Sequence, residues 1–214
     1  MITLLQDDFQ EFSIGGFPYD PEHSAMGEYH YYPVQGFTGQ WYDPITGSAY
    51  RGPSWIVTED RGTHYMEQTR LSAPGPSVSC PTLVAGEKDW KDYSVSVQMR
   101  PMTIQERTGI LFRYQTSLAH YCFCVEEQKA RILKVDKDKT EVLAETPYAY
   151  DSDHLYRLEV RCKGDTFRAS IDGQEVLTAQ DATYDAGCIA LAAYMPAQYT
   201  DVLVQAEEAE RERL

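Results

Sequence analysis

From residue 93 onward, apolar and polar positions alternate in short runs. The stretch 93–100 (YSVSVQMR) places Tyr93, Val95, Val97 and Met99 on one side and polar residues on the other. A period of two is the mark of a half-buried strand. Similar runs occur at 108–115, 121–126, 130–134, 142–145, 155–161, 167–171, 174–178, 187–193 and 200–205. Turn signals separate them. Asp172-Gly173 sits between two apolar runs and is the dipeptide that a type I′ hairpin requires; Lys163-Gly164-Asp165 marks a second turn. Short strands at near-regular spacing predict a sandwich or barrel. No helical periodicity is sustained anywhere in this zone.

The first third reads differently. After a short strand-like piece at 2–5, the chain becomes rich in Gly, Pro and aromatics, and Gly and Pro punctuate it too often for helix. It predicts long ordered loops with a few strands, at 55–58 and 63–69. Residues 206–214 (AEEAERERL) are strong helix formers. They are either a charged tail or the start of a linker to a further domain. The predicted organisation is one sandwich over 1–205, with 1–78 a loop-rich elaboration and 79–205 the core strands.

Composition narrows the partners. The chain of 214 residues carries a formal charge of −14. Nucleic-acid affinity rests on Lys and Arg neutralising phosphates, so nucleic acid and anionic membrane are poor partners. An acidic polysaccharide is also a poor match unless positive charge gathers in one cleft. The five cysteines are odd in number and form no CxxC pair. A zinc site or a full disulfide framework is not expected. Cys122 and Cys124 fall on one strand face and read as small reduced core residues. The N-terminus has no basic segment and no long apolar stretch, so the expected location is cytoplasmic, or secreted if an export signal has been removed.

The order of segments from Trp90 to Val204 resembles a known family. It runs W-K-D-Y-S-V-S-V, R-T-G-I-L-F-R-Y-Q, H-Y-C-F, L-Y-R-L-E-V, A-S-I-D-G-Q-E-V-L, D-A-G-C-I-A-L and Y-T-D-V-L-V. This resembles concanavalin A-like jelly rolls of the laminin-G and 3-keto-disaccharide-hydrolase type. The whole chain further resembles the N-terminal domain of rhamnogalacturonan-lyase-like bacterial proteins. The implied fold is all-β, a jelly-roll sandwich of two antiparallel sheets. The resemblance implies carbohydrate binding in many members, hydrolase or lyase activity in some, and often a structural calcium ion. Asp7 or Asp8, with Asp201, stand where first and last strands would share that Ca²⁺.

Two groups of residues suit a sugar. Tyr29, His30, Tyr31, Tyr32, Trp41, Tyr42, Tyr50 and Trp55 are dense in the loop-rich part, and rings stack on the C–H faces of sugars; they could equally form a small core under the loops. Arg113 lies mid-strand in an apolar run, with His120 and Tyr121 nearby. Alternation puts Leu111 and Arg113 on one face and Ile110, Phe112 and Tyr114 on the other. Arg113, with His120 and Tyr121, would hold a sugar hydroxyl or a uronate carboxylate, or pair with Glu126 or Glu159. No spacing singles out a catalytic set: His64, Tyr65, His120 and Tyr121 are of the right types for a lyase but scattered, and no facing carboxylate pair is evident. The expected function is a carbohydrate-binding or accessory module in polysaccharide degradation. The alternatives are a glycoside hydrolase or polysaccharide lyase in the same cleft, and a structural domain packed on a C-terminal catalytic domain.

Overall fold

In the computed structural model, residues 1–16, 41–44, 54–69 and 80–207 are described. Tyr29, His30, Tyr31, Tyr32, Tyr50, Arg51, Arg70 and the tail from 208 lie outside that set. The described residues form strands and turns, with no helix long and apolar enough to cross a membrane.

The strands are β1 (Ile2–Asp7), β2 (Gly15–Gly16), β3 (Trp41–Tyr42), β4 (Trp55–Asp60), β5 (Thr63–Gln68), β6 (Thr82–Ala85), β7 (Tyr93–Pro101) and β8 (Thr108–Thr116). They continue with β9 (Ala119–Glu126), β10 (Lys129–Asp136), β11 (Lys139–Pro147), β12 (Tyr156–Lys163), β13 (Thr166–Ile171), β14 (Gln174–Gln180), β15 (Cys188–Ala193) and β16 (Ala197–Ala206). One sheet runs β14-β13-β12-β7-β16-β5-β4-β2, with β1 also paired to β16. The other runs β11-β10-β9-β8-β15-β6-β3. Every pairing among the described strands is antiparallel.

The inner faces meet in one core. Val95, Val97 and Met99 of β7 and Leu158 and Val160 of β12 face Ile110 and Phe112 of β8 and Phe123 of β9 across the gap. These are the residues that the alternation selects, because a period of two sends them all one way. The outer face of the nine-stranded sheet is polar. Arg100, Gln198, Glu67 and Thr58 form a hydrogen-bonded row across it. The outer face of the seven-stranded sheet is apolar and buried, with Leu111, Tyr114, Cys122, Cys124, Leu133, Cys188 and Ala190 in a second cluster. All five cysteines are free thiols.

The described strands before residue 79 pair into the two sheets. β1 and β5 share one side of β16, β1 along 202–206 and β5 along 197–199. Between these halves β16 carries a bulge at Asp201, whose φ is +49°. The bulge lets one strand change neighbours midway.

Strand β8 departs from the expected alternation. Its pairing with β9 shifts between Phe112 and Thr116, and Arg113 takes a φ of +46°. Against β15 one extra residue falls between Leu111 and Tyr114, so Tyr114 joins Leu111 on the outer face and Arg113 leaves it. The Arg113 N–H, lost to the ladder, donates to the Tyr93 hydroxyl at 2.7 Å. Gly187 lies against this bulge. A Cβ there would stand 2.4 Å from the Arg113 carbonyl carbon, so only glycine admits the close approach.

Candidate functional site

An open cleft of about 720 Å³ lies where three connections meet. Residues 102–105 follow β7, Gln128 sits in the β9–β10 turn, and 149–153 join β11 to β12. Met102 and Ile104 are 46% and 40% exposed, two of six exposed large apolar side chains among the described residues, and both line the cleft. Beside them stand Thr103, Gln105, Ser152, Asp151 and Asp153. The volume suits a small ligand, and mixed apolar and hydrogen-bonding walls are what such sites present.

The walls are tied together. The Gln128 side chain acts like a strand edge toward Tyr150, its Nε2 donating to the Tyr150 carbonyl and its Oε1 accepting from the Tyr150 N–H, both at 3.0 Å. The Tyr150 hydroxyl donates to the Ile104 carbonyl at 3.0 Å, bridging to the opposite wall. The Asp151 N–H donates to the Tyr156 hydroxyl at 2.8 Å. Burial pushes the Tyr150 hydroxyl up to about 12, so it stays a donor at neutral pH. Glu127 and Gln128 both have positive φ, at +52° and +58°. Two non-glycine residues there cost on the order of 1 kcal/mol each, a strain that the Gln128–Tyr150 pairing offsets.

The residues expected to bind sugar are dispersed. Trp41 is fully buried, its Nε1–H donating to Asp7 at 2.8 Å and its ring against Phe9 at 5.5 Å. Trp55 is 1% exposed and packs on Tyr199 at 6.0 Å. Both belong to the inter-sheet core, where aromatic volume fills the ends of the sandwich. Tyr42 is half-buried against the outer cluster of the seven-stranded sheet. Tyr31 falls outside the described residues.

Arg113, His120 and Tyr121 point three ways. Arg113 is 1% exposed and plugs one edge of the core. Its guanidinium donates to the carbonyls of Gly164 (2.6 Å), Tyr184 (3.0 Å) and Lys91 (3.3 Å), reaches Asp92 at 3.5 Å, and lies 5.2 Å from the Phe167 ring. Neither Glu126 nor Glu159 is its partner: Glu126 pairs with Arg107 and Arg131, and Glu159 with Arg161. His120 is on the outer face, stacked on Tyr114 at 5.6 Å, with Nδ1 3.1 Å from the Thr116 carbonyl. Burial lowers its pKa to about 4, so the ring is neutral. Tyr121 faces inward, as its neighbour in a strand must. Its hydroxyl donates to Asp181 at 2.6 Å. Burial would raise the Asp181 carboxyl, but Lys134, Thr183 and Tyr121 outweigh it and hold it far below the usual range.

Asp8 and Asp201 do come side by side, since Asp7 pairs with Val202 and the Thr200 hydroxyl donates to the Asp8 carbonyl at 3.4 Å. The Asp8 carboxylate accepts from the Gln10 N–H and Asp201 from Gln98 Nε2. Two carboxylates offer at most four of the six to eight oxygens calcium takes. Among the described residues no group of three or more His, Cys, Asp or Glu side chains could hold a metal ion.

Sequence reasoning did not anticipate the cleft. Its one local signal is MTIQ, two apolar residues in a short connection between strands. Nothing in the sequence ties that connection to Gln128 or to 149–153.

No family model and no curated protein matches this chain. Solved structures do match in shape. The carbohydrate-binding module CBM66 from Bacillus subtilis is similar at TM-score 0.61 and 15% identity, over 81% of this chain and 100% of that one. The GH43 BlXynB protein from Bacillus licheniformis is similar at TM-score 0.60 and 17% identity, over 94% of this chain and 39% of that one. The cellulose-induced protein Cip1 is similar at TM-score 0.59 and 13% identity, over 95% of this chain and 97% of that one. The fold is therefore a concanavalin A-like jelly-roll β-sandwich of two antiparallel sheets.

Proposed function

We propose that this domain is a carbohydrate-binding module of glycan degradation, and that it holds sugar in the end cleft. The observation that carries the proposal is the exposure of Met102 and Ile104 beside Asp151, Asp153, Gln105 and Ser152 on hydrogen-bonded walls. A pyranose or furanose has apolar C–H faces and a rim of hydroxyls. The two apolar side chains suit the first, and carboxylates and amides suit the second. Support also comes from the company of the fold. One similar structure is a carbohydrate-binding module, and another is a GH43 protein of which this chain spans 39%.

Both cleft carboxylates come from one wall, the 149–153 connection. Glycoside hydrolysis places its two carboxylates on either side of the scissile bond. The arrangement thus favours holding a glycan over cutting it.

Native electrophoresis through gels containing soluble polysaccharides tests the proposal. At least one polysaccharide retards the folded protein, and Met102→Ala with Ile104→Ala abolishes the retardation while near-ultraviolet dichroism stays native. Free migration through every polysaccharide, or retardation that survives the double substitution, refutes it.

A further inference from the structure

We infer that the cleft selects uncharged glycans and excludes those built of uronic acids. This rests on the proposal that the cleft binds sugar, and names the class of sugar. The charged side chains lining the cleft are Asp151 and Asp153, and among the described residues no Lys or Arg joins them. Arg107, just before β8, and the basic side chains of β10 that follow the Gln128 turn are already committed. Arg107 reaches Glu126 at 3.5 Å, and Arg131 binds Glu126 as well. Arg131 also donates from Nε to Glu145 at 2.7 Å and reaches Glu127 at 3.4 Å, while Lys129 donates to Glu145 at 2.8 Å. Three cations and three carboxylates cancel in that network, which leaves the two cleft carboxylates without a cation among the described residues.

A neutral sugar meets these carboxylates with hydroxyl donors, and charge-assisted hydrogen bonds of that kind are the stronger ones. A uronate brings a third carboxylate to the same space with no guanidinium or ammonium to receive it. At roughly 5–6 Å through water-like dielectric, two such repulsions together weaken binding on the order of tenfold per uronate. The chain charge of −14 adds a long-range term of the same sign. Because the effect is Coulombic, salt screens it.

The test compares retardation by mixed-linkage glucan, xylan backbone, galactomannan and arabinan with retardation by polygalacturonate and alginate. Each gel is run in about 20 mM and in about 500 mM sodium chloride, on either side of the range where screening sets in. Retardation by a neutral polysaccharide and none by either polyuronate at low salt is the expected result, with the gap narrowing at high salt. In Asp151→Asn with Asp153→Asn the ratio of neutral to uronate affinity falls toward one. Equal or stronger retardation by a polyuronate overturns the inference and leaves sugar binding standing. A gap that salt does not change also overturns it, since shape would then be the cause. This salt comparison uses the unaltered protein and so holds if the double variant fails to fold. No retardation by any of the six overturns sugar binding itself.

Discussion

Replacing Arg113 with methionine separates a structural from a ligand-binding role. The guanidinium is 1% exposed and serves three carbonyls and one carboxylate from three segments. Methionine keeps most of the volume over the Phe167 ring but donates nothing. Removing the charged member of a buried polar cluster typically costs about 3–5 kcal/mol, because its partners lose their donors without gaining water. The guanidinium's own desolvation cost is recovered, so the lower half of that range is expected. For a chain of this size 1 kcal/mol corresponds to about 2–4 °C in melting temperature. Arg113→Met should therefore lower the midpoint by roughly 6–16 °C. Arg113→Lys, which keeps the charge but reaches fewer carbonyls, should fall between. Differential scanning calorimetry gives the shifts, and polysaccharide gels run well below the lowered midpoint give binding. A shift under about 2 °C, or lost retardation in protein that is still folded, would contradict the structural role.

Other expectations rest on single contacts. Tyr93→Phe strips the acceptor from the Arg113 N–H and the donor from the Gly187 carbonyl, and should cost about 1–3 kcal/mol in urea unfolding; no measurable change would mean the bulge satisfies that N–H otherwise. His120 is held neutral with its pKa lowered to about 4 against 6.5 when unfolded. A depressed histidine stabilises fully above 6.5 and loses that contribution as pH falls, by up to about 1.4 kcal/mol per pH unit between 6.5 and 4. Urea midpoints from about pH 7 to 4 should show this slope, and His120→Gln should flatten it. Gln128→Ala removes both bonds to the Tyr150 backbone and should cost about 1–2 kcal/mol; amide exchange across 149–153 should quicken, and unchanged exchange would refute the clamp.

The strands were legible because burial on one face imposes a period of two, and 93–100 or 155–161 carry that period without interruption. The Asp172-Gly173 hairpin was equally plain, since both residues take positive φ as a type I′ turn demands. Arg113 was misplaced for a local reason. A bulge against β15 adds one residue and flips the face, and Gly187 of another segment lies against it. No pattern within β8 records that contact. Trp41 and Trp55 looked like ligand aromatics because their neighbours are loop formers. The sandwich needs large side chains at its ends, and β3 and β4 turn both rings inward. The cleft depends on Gln128 meeting Tyr150, a pairing between a hairpin turn and a distant connection that sequence spacing does not encode. The pairing of β1 with β16 carries Asp7 to Val202, which is why the first and last strands adjoin near Asp8 and Asp201.

Sugar binding in the end cleft stands or falls on where the sugar lies. A crystal soaked with an oligosaccharide of whichever neutral polysaccharide retards the protein measures this directly. Density should lie between 102–105 and 149–153, with ring C–H groups on Met102 or Ile104 and hydroxyls within hydrogen-bond distance of Asp151 or Asp153. Density on the outer face of the seven-stranded sheet instead, beside Tyr42 and His120, would contradict it.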